Sequence, residues 1–261
     1  MKKIVVFNQK GGTGKTATTI NIAGCLEKNF KKKVMVVDCD SQMNATSYLL
    51  TQEGISADKT IVDIVKGNAS VEDVLIQVKF IIRKLKSSNI FLIPGSIGVD
   101  YENLEDILVF KKVLEPYEDE MDFCLFDCPA NNTDFTEAAL ACADYVIVPA
   151  LADTDSLGGL NLLVDTVNRI RNSSTNVNLK ILGIFFNNVE IIYGLSRHIM
   201  AECKSNMEDL TFDTYIRHAS AVGQARYFGK PINYYKSTAP VTQDFLNLTQ
   251  ELLDKIERME K

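Results

Sequence analysis

Residues Gln9-Lys10-Gly11-Gly12-Thr13-Gly14-Lys15-Thr16 decide the fold of this 261-residue chain. They fit the phosphate-loop pattern G-x-x-x-x-G-K-[ST], except that Gln9 stands where the first glycine is usual. Glycines let backbone N–H groups curve round a phosphate, and the N-terminus of the following helix adds partial positive charge. A strand candidate precedes the stretch and a helical pattern follows it, which disfavours the alternative of a glycine turn without a ligand. We therefore predict a nucleotide phosphate site here.

The residues of this loop have separate expected roles. Lys15 should reach the β- and γ-phosphates, and the Thr16 hydroxyl should ligate Mg²⁺. Because the whole loop should surround the phosphates, the predicted nucleotide-binding residues are Lys10, Gly11, Gly12, Thr13, Gly14, Lys15, Thr16 and Ala17.

Short β-branched runs alternate with longer amphipathic ones along the chain, which is typical of parallel strands joined by helices. The predicted strands are Lys3–Asn8, Lys33–Asp38, Asn89–Pro94, Asp122–Asp127, Tyr145–Pro149, Lys180–Phe186 and Asp213–Ile216. The predicted helices are Lys15–Asn29, Ile61–Lys66, Leu104–Glu115, Phe135–Cys142, Ser156–Arg171, Leu195–Ser205 and Val241–Met259. We expect an α/β fold with a doubly wound, mostly parallel sheet, helices on both faces, and a single domain over residues 1–261.

The composition limits the classes of location and partner. The apolar fraction of 46% suits a protein with a core, and no run reaches the ~18 apolar residues that would suggest a membrane span. The start of the chain lacks a signal-peptide pattern, so a cytoplasmic protein is predicted. The net charge of −6 argues against attraction of the whole chain to nucleic acid but leaves room for a local basic patch. The cysteines lack metal-site spacing and are expected to be reduced and buried.

Carboxylates follow two of the predicted strands. Asp38 and Asp40 lie at the end of the second apolar run, and Asp127 ends the fourth. In a parallel sheet these ends meet at the edge where ligands bind. Asp127 therefore suits a magnesium site held partly through water. Without the upstream phosphate loop, helix capping would be the favoured interpretation of the first two aspartates.

Three motifs together resemble the deviant Walker A ATPases, the group that contains ParA, MinD and the nitrogenase iron protein. They are Lys10–Thr16, the segment Asp38-Cys-Asp-Ser-Gln-Met-Asn-Ala-Thr46, similar to D-x-D-P-Q-x-N-A-T, and Phe126-Asp127-Cys128-Pro129. Ala138–Leu160 and Phe228-Gly-Lys-Pro-Ile232 match later ParA patterns, A-L-x-x-A-D-x-V-I-x-P and F-G-x-P-[IV]. The resemblance extends over the whole chain and implies a P-loop NTPase that binds ATP with Mg²⁺.

The resemblance also implies roles for particular residues. Lys10 corresponds to the signature lysine, which in the family reaches the nucleotide of the opposite subunit in an ATP-bound homodimer. A cation at that interface offsets the repulsion between two facing ATP molecules. Asp40 corresponds to the carboxylate that positions the attacking water. The implied catalytic residues are Lys10, Lys15 and Asp40, and the implied magnesium ligands are Thr16, Asp40 and Asp127.

The segment Ile216–Ala225 departs from the partition-protein pattern I-P-R-N-V-R-L-S-E-A. Ala221 stands where relatives place a DNA-gripping arginine, and Arg217 stands where proline borders the adenine. Asn187 and Arg217 are the expected contacts on the adenine side. The basic residues considered for DNA binding without sequence preference are Arg217, Arg226, Lys31, Lys32 and Lys33. Charge runs are more often solvated surface, so composition alone does not decide this point.

The implied function is partition of a plasmid, chromosome or other DNA cargo by ATP-dependent homodimers that bind DNA and associate with the nucleoid. Hydrolysis would be weak in the chain alone and stimulated by a ParB-like adaptor protein. Two alternatives remain open: a MinD-like ATPase that positions a membrane or protein cargo, and a nucleotide switch that scaffolds partners without hydrolysis. The polar positions of the final helix mix both signs of charge, which favours a packed core helix over a membrane tail. No membrane partner is expected.

Overall fold

The computed structural model describes residues 1–50, 57–81, 85–97, 104–153, 164–173, 175–190 and 194–261. Its strands are β1 (Lys2–Val6), β2 (Val34–Asp38), β3 (Ile76–Ile81), β4 (Leu85–Ile93), β5 (Phe123–Asp127), β6 (Tyr145–Ala150) and β7 (Lys180–Phe186). The described strands form one sheet in the order β3-β4-β2-β5-β1-β6-β7. Neighbouring strands pair in parallel, except that β3 and β4 are antiparallel.

Helices lie between most of the strands. They are α1 (Lys15–Phe30), α2 (Asn44–Leu50), α3 (Ile61–Val65), α4 (Val71–Val74), α5 (Val109–Leu114), α6 (Asp134–Cys142), α7 (helical over 164–172), α8 (Gly194–Asn206), α9 (Ser220–Tyr227), α10 (Ile232–Tyr235) and α11 (Pro240–Glu260). Short 3₁₀ helices occupy Glu115–Tyr117 and Glu208–Leu210.

The side chains of β1 point alternately into two apolar clusters. Ile4 and Val6 belong to a cluster with residues of α1, α2 and α11, whereas Val5 belongs to one with residues of α3, α5, α6 and α8. Both faces of the sheet are therefore covered by helices, which is why its strands can be apolar throughout. The predicted α/β fold with a doubly wound, mostly parallel sheet is confirmed.

The predicted strand Asp213–Ile216 is wrong. The chain forms only isolated bridges just beyond the two ends of this segment. The backbone N–H groups of Asp213 and Thr214 donate to the Glu251 carboxylate of α11, at 2.7 and 2.9 Å. Because a side chain satisfies these donors, no continuous ladder with β7 forms.

The sequence prediction also missed β3, which forms an edge of the sheet. Apolar and polar residues alternate in its sequence from Ile76 to Phe80, and in the structure Val78 and Phe80 are buried while Gln77 is exposed. The predicted helix Leu104–Glu115 is shorter in the structure, where α5 begins at Val109. The predicted helix Ser156–Arg171 lies partly outside the described residues.

The final helix, α11, packs onto the sheet through one apolar side. Its buried residues include Val241, Phe245, Leu248, Leu252 and Ile256. They share an apolar cluster with α1, so the prediction of a packed core helix is confirmed. None of the described helices combines the length and the apolar character needed to span a bilayer.

Candidate nucleotide site

The phosphate loop lies at the carboxyl end of β1, which is an interior strand between β5 and β6. Gly12 and Gly14 have φ angles of +75° and +84°, a left-handed conformation that glycine adopts without steric cost. A Cβ atom on Gly14 would also overlap the side-chain amide of Asn187. The helix α1 begins at the next residue, so its N-terminal N–H groups adjoin the loop.

Asn187 supports this loop from inside the protein. Its Nδ2 atom donates a hydrogen bond to the carbonyl oxygen of Thr13 at 2.8 Å. Both residues are buried. Asn187 therefore fixes the backbone of the loop, and its contact on the adenine side stays a prediction.

The two lysines of the motif point to different partners. The Lys15 ammonium donates to the carbonyl oxygens of Asn8, at 3.0 Å, and Lys10, at 3.4 Å, and so reaches back across the loop. Burial lowers the pKa of Lys15, although Asp127 and Asp40 attract its charge. The Lys10 ammonium instead contacts both carboxylate oxygens of Asp153, which follows β6, at 2.8 and 2.7 Å.

Asp38 and Asp127 lie opposite each other at the ends of β2 and β5. Burial, and then the nearby charge of Asp38, raise the pKa of Asp127. The hydroxyls of Thr16 and Thr19 oppose this rise without cancelling it. The Oδ2 atom of Asp127 is buried and accepts no hydrogen bond from the part of the chain that the structure describes.

The two aspartates that follow β2 have different surroundings. Asp38 is buried and accepts hydrogen bonds from the backbone N–H and the hydroxyl of Thr46, at 2.8 and 2.7 Å. Burial raises the pKa of Asp38 as well. Asp40 is only partly buried and accepts from the Gln42 N–H at 2.9 Å and from Asn44 Nδ2 at 3.2 Å. Asp38 thus anchors the loop, whereas Asp40 remains accessible beside the phosphate site.

Sequence reasoning missed several residues at this site. One is Asp153, the ion-pair partner of Lys10. Another is Asn44, which is hydrogen-bonded both to Asp40 and to Arg226, whose Nη2 donates to Asn44 Oδ1 at 2.9 Å. Asp153 follows β6 at the same edge of the sheet as the other carboxylates. Its position after the predicted strand Tyr145–Pro149 was the signal that could have identified it.

The structure does not bring the basic residues considered for DNA binding together. Lys31, Lys32 and Lys33 lie between α1 and β2, at the end of the sheet opposite the phosphate loop. Arg217 makes a two-point ion pair with Asp244 of α11, with distances of 2.6 and 2.8 Å. Contact of Arg217 with nucleotide or DNA stays a prediction and would require this pair to open. Arg226 lies on α9, close to Asp40.

Comparisons with known proteins agree with this geometry. A sequence family described as an AAA domain matches residues 1–181. The chain is 32% identical over 258 residues to the chromosome-partitioning ATPase Soj of Treponema pallidum, covering 97% of each chain. It is 30% identical over 257 residues to the sporulation initiation inhibitor protein Soj of Bacillus subtilis, covering 96% of this chain and 98% of that one.

The fold is also shared with solved structures. A putative plasmid partition protein of Borrelia burgdorferi, solved with bound AMPPNP, superposes with a TM-score of 0.81 at 22% identity, covering 97% of this chain and 99% of that one. The similarity that the motifs predicted is confirmed over the length of the chain.

Proposed function

Because this chain belongs to the ParA/MinD group of P-loop ATPases and is an ATPase of the partition type, we propose that it forms an ATP-dependent homodimer whose hydrolysis cycle controls non-specific DNA binding. A ParB-like adaptor would stimulate hydrolysis, and the cargo would be a plasmid, a chromosome or other DNA held at the nucleoid. Residues 1–261 act as a single domain in this proposal, which the one sheet shared by all described strands supports.

The different orientations of Lys10 and Lys15 carry the proposal. Lys15 lies across the phosphate loop of its own subunit. The Lys10 ammonium is directed to Asp153 and its side chain is 28% exposed. A lysine placed beside the loop but turned away from it can contact the nucleotide of a second subunit. This arrangement supports a dimer in which each Lys10 offsets the charge of the opposite ATP.

The carboxylates at the site fit a divalent cation. The Oδ2 atom of Asp127 is fully buried and has no hydrogen-bond partner among the described residues, and a buried carboxylate is costly unless a cation or a proton compensates its charge. Oxygen donors of this kind suit Mg²⁺, which usually keeps several of its waters. We propose that Asp127, Thr16 and Asp40 hold the Mg²⁺ of Mg-ATP, which supplies positive charge next to the phosphates.

The chain's own residues would then position the reactants for hydrolysis. Phosphoryl transfer depends mainly on alignment and on stabilising the phosphate charge. In the proposal, the partly exposed Asp40 orients the attacking water. The water oxygen forms a bond to the γ-phosphorus while the bond from that phosphorus to the β–γ bridging oxygen breaks, so the products are ADP and inorganic phosphate, and the water's proton passes to the phosphate. The ammonium of Lys15 stabilises the negative charge on the β- and γ-phosphates.

The first test of the proposal is DNA binding. Random-sequence duplex DNA is titrated with the protein in ATP, in ADP and without nucleotide, at two salt concentrations, while sedimentation follows dimerisation. Tight, ATP-dependent and salt-sensitive binding is expected. An ATP-dependent dimer that binds no DNA in any state would refute the partition of DNA and favour a protein cargo.

A second test separates an enzyme from a scaffold. Asp40→Ala should abolish ATP turnover while leaving nucleotide binding in place. Gln42→Ala is the matched control, because it leaves intact the hydrogen bond that the backbone N–H of residue 42 donates to Asp40. Unchanged turnover in Asp40→Ala would remove Asp40 from the proposed mechanism.

A further inference from the structure

The segment that follows β4 meets the loop that carries Asp40. Gly95, which comes shortly after this strand, is buried and donates its backbone N–H to the Thr46 hydroxyl at 2.9 Å. Thr46 lies in the first turn of α2 and is also buried. This hydrogen bond therefore joins the carboxyl end of β4 to the end of the loop between β2 and α2.

Thr46 in turn holds the buried carboxylate of Asp38. Its backbone N–H and its hydroxyl both donate to Asp38 Oδ2, at 2.8 and 2.7 Å. The other carboxylate oxygen, Oδ1, accepts the backbone N–H of Asp40 at 3.1 Å. The Asp38 carboxylate thus ties together the two ends of the loop that carries Asp40.

A side chain at position 95 would press against this loop. A Cβ atom added to Gly95 would lie 3.2 Å from Asp38 Cγ, 3.2 Å from the Asp38 carbonyl oxygen and 3.2 Å from the Asp40 carbonyl oxygen. Two carbon atoms pack best at about 3.5–4.0 Å, so a methyl group would displace one side of the contact by a few tenths of an ångström. Gly95 does not have a left-handed backbone. The close approach, and not the backbone conformation, is therefore what requires a glycine here.

Asp40 is the part of this contact that can give way. On the side of β4, the Pro94 carbonyl oxygen accepts the backbone N–H of Ile61 at 2.9 Å, and Ile61 is buried in α3. At the start of the loop, the Cys39 N–H donates to the carbonyl oxygen of Asp127 at 2.9 Å. Asp40 is only partly buried. An added methyl group should therefore move the backbone of Asp40, and its carboxylate with it.

We infer that Gly95 and Thr46 are positioning residues for ATP hydrolysis. Acting through Asp38, they set the place of the Asp40 carboxylate beside the phosphate loop. The inference rests on the role proposed for Asp40 in orienting the attacking water. A misplacement of about 1 Å can lower a rate about 100-fold, so a displacement of a few tenths of an ångström should lower it about three- to tenfold.

The first test is the variant Gly95→Ala. Phosphate release is measured over a range of Mg-ATP concentrations, without DNA and without an adaptor, and calorimetry measures nucleotide affinity. We expect kcat to fall about three- to tenfold, while KM and nucleotide affinity stay at the wild-type values because the phosphate loop is untouched. Gly194→Ala is the matched control, since a Cβ atom there meets nothing within 4 Å, and it should keep the wild-type kcat.

A second pair of variants tests the hydrogen bonds without adding volume. Thr46→Val keeps the shape of the side chain but removes the hydroxyl, so Asp38 loses a donor and the Gly95 N–H loses its acceptor. Its kcat should fall with KM unchanged, as expected when an interaction is lost only in the transition state. Thr46→Ser retains the hydroxyl and should restore most of the kcat. This pair decides the matter if Gly95→Ala does not fold.

Three results would overturn the inference. One is a wild-type kcat in a folded Gly95→Ala or Thr46→Val protein. Another is a loss of nucleotide affinity that accompanies the fall in kcat, since this would indicate a general disturbance of the site. The third is a Thr46→Ser variant as slow as Thr46→Val, because the hydroxyl would then not be the group that matters.

Asp40→Ala, assayed alongside, distinguishes failure of the inference from failure of the proposed function. If Asp40→Ala hydrolyses ATP like the wild type, the role proposed for Asp40 fails and the inference fails with it. If Asp40→Ala is inactive while Gly95→Ala and Thr46→Val keep the wild-type kcat, the inference alone fails. Because the assay contains no DNA, neither result depends on whether the cargo is DNA.

Discussion

The ammonium of Lys10 and the carboxylate of Asp153 form a two-point ion pair, with Nζ 2.8 Å from Oδ1 and 2.7 Å from Oδ2. The pair joins the phosphate loop to the segment that follows β6, and both side chains are partly exposed. Contact between Lys10 and a nucleotide in a second subunit requires this pair to open. An exposed ion pair is worth only about 0–1 kcal/mol, so it restrains Lys10 without preventing its release.

Replacing Asp153 should favour the ATP-bound dimer. Asp153→Asn removes the charge that holds Lys10, and each dimer contains two such pairs. The dimer dissociation constant with a non-hydrolysable ATP analogue should therefore fall by up to about 30-fold, the equivalent of ~2 kcal/mol. Sedimentation of the variant and the wild type measures this shift. Asp119→Asn, an exposed position with the same change of charge, is the control. A dimer constant equal to that of the control would show that the ion pair does not oppose dimerisation.

The Lys10 side chain itself should be needed for hydrolysis and dispensable for binding. Lys10→Ala should still bind nucleotide through Lys15 and the loop backbone, yet lose ATP turnover with DNA and adaptor present. Calorimetry measures the binding and phosphate release measures the turnover. Lys15→Ala, by comparison, should lose nucleotide affinity. Normal turnover in Lys10→Ala would contradict the role proposed for it at the second subunit.

The three glycines of the phosphate loop should differ in their tolerance of a methyl group. A Cβ atom added at Gly11 or at Gly12 would meet no atom within 4 Å. The two positions differ in their backbone, because Gly12 has a φ of +75°. Left-handed backbone costs a non-glycine residue about 1–2 kcal/mol. Gly14→Ala combines a φ of +84° with an overlap on Asn187, and overpacking typically adds about 1–3 kcal/mol.

Thermal unfolding of the nucleotide-free variants measures this order. The melting temperature should fall little in Gly11→Ala, further in Gly12→Ala and most in Gly14→Ala. The double variant Gly14→Ala/Asn187→Ala should recover part of the loss, because it removes the overlapping amide. Equal melting temperatures for all three single variants would contradict the conformations described for the loop.

The parts of the site that the sequence predicted are those set by local pattern. Lys15 and Thr16 follow from the loop motif, and Asp127 follows from an apolar strand that ends in a carboxylate. The α/β fold followed from the alternation of runs because strands covered on both faces are apolar throughout. In each case the residues next to one another in the chain are enough to predict the role of a side chain or the presence of a strand.

The parts that the sequence did not predict depend on contacts between distant segments. Asp153 meets Lys10, and Arg226 meets Asn44, only after β6 and α9 have packed beside the phosphate loop. The prediction of a strand at Asp213–Ile216 was wrong for the same reason, because the Glu251 carboxylate of α11 accepts the hydrogen bonds of two backbone N–H groups in this segment. No periodicity in the chain encodes such pairings.

The stability of the nucleotide-free protein should fall as pH rises from about 5 to about 8.5. Burial raises the pKa of Asp127 to about 8, far above its ordinary value of 3.8. Over this range the folded state keeps a proton that the unfolded state releases. The resulting stabilisation is complete below the ordinary pKa of the carboxyl and is lost as pH rises through the pKa that the carboxyl has in the folded protein. Asp38, whose pKa burial raises to about 6, contributes in the same direction.

Calorimetric unfolding between pH 5 and pH 8.5 measures this dependence. A saturating Mg-nucleotide should reduce the decline in stability, because the positive charge of Mg²⁺ beside Asp127 replaces that of the proton. Asp127→Asn is the isosteric control and should lose part of the decline, since its amide does not titrate. If the melting temperatures of wild type and Asp127→Asn decline in parallel, the buried carboxylate at the end of β5 does not hold the proton, and compensation by Mg²⁺ at that position loses its physical basis.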